Sequence, residues 1–161
     1  MSLSSTPSTP LTPSTRRSSL AAGLFLATCA SLLGAVPAQA ADLTVVVSNI
    51  TSNAGNVMVG LFDSAAAFPK TVTQGVLAAA AGRDATGRVK LVLRDLTPGT
   101  YSVSAYHDLD ANGQLNNNMM GLPTEPYDFS NNARGSFGPP SFQAASVAVP
   151  TQGLAIELKV Q

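Results

Sequence analysis

The sequence predicts an all-β protein, an antiparallel β-sandwich of about seven strands carrying one long loop, and three observations lead there. After residue 40, apolar residues alternate with polar ones in short runs. Gly, Pro, Asn and Asp fall between those runs, and no stretch shows the 3.6-residue apolar period of a long amphipathic helix.

The first strand alternates Leu43, Val45 and Val47, and Asn53-Ala54-Gly55-Asn56 turns the chain into the second, with Val57, Val59 and Leu61. Ser64 to Lys70 suits a helical turn or loop. The alanines of Val76 to Ala81 favour helix by propensity, yet the run between Gly75 and Gly82 is too short to stand as one, so a short edge strand is expected. Past the Gly82 to Gly87 turn, Val89, Leu91 and Leu93 oppose Arg88, Lys90 and Arg94. Pro98-Gly99 leads into Tyr101, Val103 and Ala105, a weaker strand is expected over Ala144 to Val149, and Leu154, Ile156, Leu158 and Val160 close the series with Glu157 and Lys159 outward.

Residues 1–40 read as a low-complexity leader and export signal. Arg16 and Arg17 supply the positive region, Ser18 to Val36 is uncharged and mostly apolar, and Ala38-Gln39-Ala40 is a small-x-small site, so cleavage is expected after Ala40. Ser19 stands where a twin-arginine signal has an apolar residue, which favours ordinary secretion. Cys29, the single cysteine, counts as part of the signal: Thr28 is large for a lipoprotein box and the apolar run continues beyond it. The expected location is periplasmic or extracellular. What remains is one domain over 41–161, with no cysteine and no expected transmembrane segment. Seven basic residues there face nine acidic ones, a net charge of −2, which excludes a nucleic-acid-binding field.

His107 to Phe142 has no strand alternation and is rich in Asn, Gly and Pro, and a loop of that length in a small domain is usually functional. It opens with Asp108, Asp110 and Asn112 at alternate positions before Gly113. That spacing converges three side-chain oxygens on a hard cation, lets glycine take the tight turn and aims the Gln114 carbonyl inward. Position twelve of an EF-hand would be Glu, but here it is Met119, and no helices flank the loop. Asn116 or Asn118 is placed to complete the shell locally, and Glu125 or Asp128 from further along. The expected site is Ca²⁺ on Asp108, Asp110, Asn112, Gln114, Asn118 and Glu125. The same spacing also suits a ladder of Asx turns that binds nothing.

Four of the eight aromatics after residue 40, Tyr127, Phe129, Phe137 and Phe142, lie in this loop, either plugging an open end of the sandwich or contacting a ligand. His107, Tyr127, Phe129, Asn131 and Arg134 form the expected partner surface, for an envelope or extracellular glycan, peptide or protein; His107, in phase with the buried face of the Tyr101 strand, equally suits a half-buried residue that bonds the loop backbone and fixes its entry. The alternative is an envelope hydrolase centred on His107 and residues 123–142, drawing on Ser130, Ser136 or Ser141, or on Glu125 with Asp128. No Gly-x-Ser-x-Gly elbow supports it, and a lone histidine without cysteine partners does not make a zinc site, so a non-enzymatic role is expected.

Two resemblances add to this reading. Leu96-Thr97-Pro98-Gly99-Thr100-Tyr101 resembles the strand entry of prealbumin-like and carboxypeptidase-regulatory-like sandwiches. His107-Asp108-x-Asp110-x-Asn112-Gly113-x-Leu115, Gly121-x-Pro123-x-Glu125, Tyr127-x-Phe129-Ser130-Asn131-Asn132-Ala133 and Phe137-Gly138-Pro139-Pro140-Ser141-Phe142 closely resemble a family of exported bacterial proteins, domain of unknown function 2141. The resemblance implies export and a β-sandwich, and no established catalytic residues.

Overall fold

The computed structural model describes residues 40–161, so all but the last residue of the leader, Cys29 included, lies outside the described residues. Eight strands form two sheets, an architecture consistent with a prealbumin-like sandwich. The first sheet orders β4 (Val89–Leu96), β1 (Ala41–Ser48) and β8 (Leu154–Lys159). The second orders β3 (Gln74–Ala79), β2 (Asn56–Phe62), β5 (Gly99–Asp108) and β6 (Tyr127–Phe129), while β7 (Ser146–Val149) pairs with an earlier stretch of β5. Leu43, Val45 and Val47 of one sheet meet Val57, Val59, Leu61 and Val103 of the other in one buried core. Each fully buried leucine or valine there contributes about 1.5–3 kcal/mol of apolar transfer. Tyr101 closes the Pro98-Gly99 entry by donating its hydroxyl to the Thr97 carbonyl at 2.6 Å.

The fold departs from expectation in three places. One pair, β1 with β8, is parallel. Local alternation carries no strand direction, and a parallel pair needs only a long crossover, supplied here by the rest of the domain between first and last strand. Second, the strand expected from Ala144 begins at Ser146, because Phe142–Ala145 forms one helical turn capped by Ser141. Third, 107–142 is not one loop: His107 and Asp108 end β5, and β6 divides the remainder. Three residues are too few to display an alternation. Tyr127 exchanges backbone hydrogen bonds with Gln161, so β6 ties the second sheet to the chain end beyond β8.

A second cluster covers the outer face of the β2–β5–β6 sheet. Phe62, Phe68, Phe129, Ala133 and Ala145 are buried there, with Tyr127 and Phe142 packed against them. The rings meet edge to face, Phe62 with Phe68 at 5.1 Å and Phe68 with Phe129 at 5.5 Å. Among the described residues no helix is long and apolar enough to cross a membrane.

Candidate metal centre

Strand alternation sorts the end of β5 between two environments. Val103, Ala105 and His107 lie opposite Leu61, Val59 and Val57 and share their core face, so Ser104, Tyr106 and Asp108 take the outer face. His107 is 1% exposed, and its Nε2–H donates to the Ala54 carbonyl at 2.9 Å. Beyond Asp108 the chain turns through two left-handed residues, Ala111 at φ 59° and Gly113 at φ 78°. That path wraps the loop back over Asp108, whose Oδ1 and Oδ2 accept from Asn112 N and Gly113 N at 3.1 and 2.9 Å.

Glu125 arrives from the far end of the same loop. Residues 116–124 double back as a hairpin, with Thr124 N bonded to Asn116 O and Asn118 N to Leu122 O, both at 2.8 Å. The Glu125 carboxylate then closes the base, accepting from Leu109 N at 2.7 Å and Asn116 N at 3.0 Å. Asp108, Asp110 and Glu125 each bring an oxygen within 4.8 Å of the others, Asp108 and Glu125 buried and Asp110 exposed.

Two features make this cluster able to hold a divalent cation. The three carboxylates carry a formal −3, while the described ion pairs, Arg88 with Glu157, Arg94 with Asp42 and Arg134 with Asp128, all lie elsewhere. Three carboxylates offer about twelve acceptor positions. Seven are used by hydrogen bonds from the loop, so lone pairs remain for a metal. The donors are all oxygen, which suits hard ions and by itself does not select among them.

The field of these acids is visible in their neighbours. Burial first, and the charges of Asp108 and Glu125 second, hold the Tyr106 phenol above its ordinary value. The Asn116 amide is the main cause holding the Asp110 carboxyl below its ordinary 3.8, against an opposing desolvation. A carboxyl whose folded value is depressed stabilises the fold above its unfolded value, and that contribution is lost as pH falls through the folded value. In chelator, the melting difference between wild type and Asp110→Asn should therefore hold constant from about pH 7 to about pH 5 and narrow only below the ordinary carboxyl value. Thermal melts across that range check this; a gap that persists to about pH 2 would mean the Asp110 anion contributes nothing.

Not every expected ligand is in place. Asn118 Oδ1 accepts from Met120 N and Leu122 N, so it caps the hairpin tip and is not a ligand in this geometry. Its neighbour Asn116 takes the position at the cluster, with Nδ2 2.9 Å from Asp110 Oδ2. Asn112 Oδ1 accepts the Gln114 N–H at 2.8 Å, so both residues brace the turn. Asp128 is tied to Arg134 and to Lys159 N, which leaves Glu125 as the third acid.

The expected partner surface is largely dispersed. His107 and Phe129 are interior residues, one ending the main core and the other in the aromatic cluster. Arg134 is paired with Asp128, and Asn131, at φ 59°, donates to the Ala144 carbonyl. Of the five, Tyr127 and Phe129 line an open cleft, of about 660 Å³, between the 116–124 hairpin and the 135–139 turn. Phe137, one of the four loop aromatics expected to plug the sandwich or contact a ligand, lines it too, with Met120 and Leu122, which sequence reasoning passed over; their signal was the short apolar run Met119-Met120-Gly121-Leu122 in an otherwise polar loop. Of the serines weighed for catalysis, two serve the backbone, Ser130 Oγ bonding Val103 and Ala145 and Ser141 capping Ala144, while Ser136 lines the cleft.

A family model described as an uncharacterized protein conserved in bacteria (DUF2141) matches residues 45–157, and the chain belongs to that family. No curated protein and no solved structure matches the chain.

Proposed function

We propose that the chain is an exported, non-enzymatic binding module whose 108–118 loop, closed by Glu125, holds Ca²⁺. The observation that carries this reading is three carboxylates gathered within 4.8 Å with no cationic side chain paired to them among the described residues. Like charges so gathered repel, and a divalent cation is the direct compensation. Calcium suits the site better than magnesium, because an irregular loop tolerates a variable oxygen shell whereas magnesium demands a tight octahedron and sheds its waters reluctantly. Asn116 can join the shell by an amide flip that exchanges its donor for its acceptor.

The test is thermal. Extracellular calcium modules bind at about 10⁻⁴ to 10⁻³ M. At a dissociation constant of about 10⁻⁴ M, about 1 mM Ca²⁺ adds RT ln 11, or ~1.4 kcal/mol. That raises the melting temperature of a domain this size by roughly 4 to 7 °C. Replacing both Asp108 and Asp110 by Asn should abolish the shift, and magnesium should give a smaller one. An unchanged wild-type melt together with no binding heat would leave only a ladder of Asx turns.

Export rests on the leader. The exported protein should begin at Ala41 and carry no lipid, as intact-mass and N-terminal analysis will read; a lipidated Cys29 at the terminus would instead make this a membrane-anchored protein.

A further inference from the structure

We propose that the cleft between the 116–124 hairpin and the 135–139 turn binds an uncharged, apolar small molecule. Its floor is Ser104 and Tyr106 on β5 and Tyr127 on β6, so it stands on the outer face of the second sheet. The volume of about 660 Å³ falls inside the span typical of small-molecule sites, about 300–1,000 Å³. Both walls are shaped by glycines. A Cβ on Gly135 would stand 2.1 Å from the Gly138 carbonyl oxygen, and Gly121, at φ 77°, turns the hairpin tip.

The lips argue for an apolar occupant. Met120, Leu122 and Phe137 are 79%, 55% and 106% exposed, and they line one concavity from both walls. Single exposed apolar residues are ordinary; three converging on a cleft are a binding feature. Methionine adds a flexible, polarizable contact.

The polar lining argues for an uncharged one. The Asp128 carboxylate is taken by Arg134 and Lys159 N, the Tyr106 hydroxyl donates to the Gly113 carbonyl, and Asn117 Nδ2 donates to the Leu115 carbonyl. The nearby guanidinium is thus already paired, and the three carboxylates of the adjoining loop disfavour an anion. The Ser104, Ser136 and Tyr127 hydroxyls that also line the cleft are uncharged, so recognition is left to shape, apolar contact and neutral hydrogen bonds. This deepens the binding-module reading by naming a ligand class, and it does not depend on the cation.

Titration of the exported chain with the neutral fluorophore N-phenyl-1-naphthylamine, in chelator and separately in calcium, tests it. Saturable fluorescence enhancement should appear in both buffers. In chelator, 1-decanol should displace the probe at a concentration at least about tenfold lower than decanoate, because a carboxylate finds no free cation there. The variant Met120→Gln/Leu122→Ser/Phe137→Ser should weaken probe binding at least about tenfold while melting with the wild type, since all three side chains are exposed. Phe137→Ser alone should show a smaller loss of the same sign. Absence of saturation in both buffers, decanoate competing as well as decanol, or a folded triple variant that binds unchanged would each overturn the proposal. A missing calcium shift would sink only the cation assignment.

Discussion

Gly55→Ala should cost the domain at least about 3 kcal/mol and lower its melting temperature by roughly 10 °C or more. Gly55 sits at φ 69°, a region that costs an L-residue about 1–2 kcal/mol. A Cβ there would lie 1.8 Å from the Asp108 carbonyl oxygen, 2.8 Å from Asp108 C and 2.9 Å from Leu109 C. All three are backbone atoms, so no side chain can yield; the turn or the root of the acidic loop must move. Movement of the turn strains the His107 bond to Ala54 O and the Ala80 bond to Gly55 O. Movement of the loop shifts Asp108, so any cation affinity should fall with stability. Gly82→Ala is the control, since a Cβ there meets nothing within 4 Å, and it should change stability by no more than about 0.5 kcal/mol. Melts of the two variants decide: a Gly55→Ala protein within about 3 °C of wild type would mean the close approach is not a constraint.

Glu125→Ala should destabilise the domain even without metal. Leu109 N and Asn116 N lose their acceptor, and each such donor left unsatisfied costs about 1–3 kcal/mol. Removing one of three neighbouring negative charges offsets part of that, so a net loss of about 2–3 kcal/mol is expected in chelator, roughly 6 to 15 °C. The calcium increment should disappear as well, because the cluster falls from three carboxylates to two. Glu125→Gln separates the two effects: it keeps one acceptor while removing the charge, so it should lose less stability in chelator and most of the calcium response. An Ala variant that melts with wild type in chelator would show that Glu125 does not hold the loop closed.

The site was readable in proportion to how locally it is encoded. Asp108 and Asp110 announce themselves because residues two apart before a glycine converge through the chain's own turning. Glu125 was recoverable from the inventory of acids, and only the hairpin shows why it, and not Asp128, reaches the cluster. The choice between Asn116 and Asn118 was out of reach: Asn118 is claimed by two amides of a turn that exists only once Leu122 folds back on it. His107 was legible as in phase with the buried face of its strand, the core face of β5 that it shares, whereas Phe129, expected at a partner surface, both packs against Phe68 and lines the cleft.

By itself the sequence determined the strand faces, the turns between them and the acidic spacing, because each depends on backbone geometry over a few residues: a period of two, a glycine at positive φ, a carboxylate within reach of a nearby amide. Only the tertiary structure decided the parallel pairing of β1 with β8, the aromatic cluster of Phe62, Phe68 and Phe129, the third carboxylate and the apolar cleft. These join segments far apart in the chain. Their partners are selected by burial of apolar surface and satisfaction of backbone amides across the whole domain, and no local period records which distant residue will supply them.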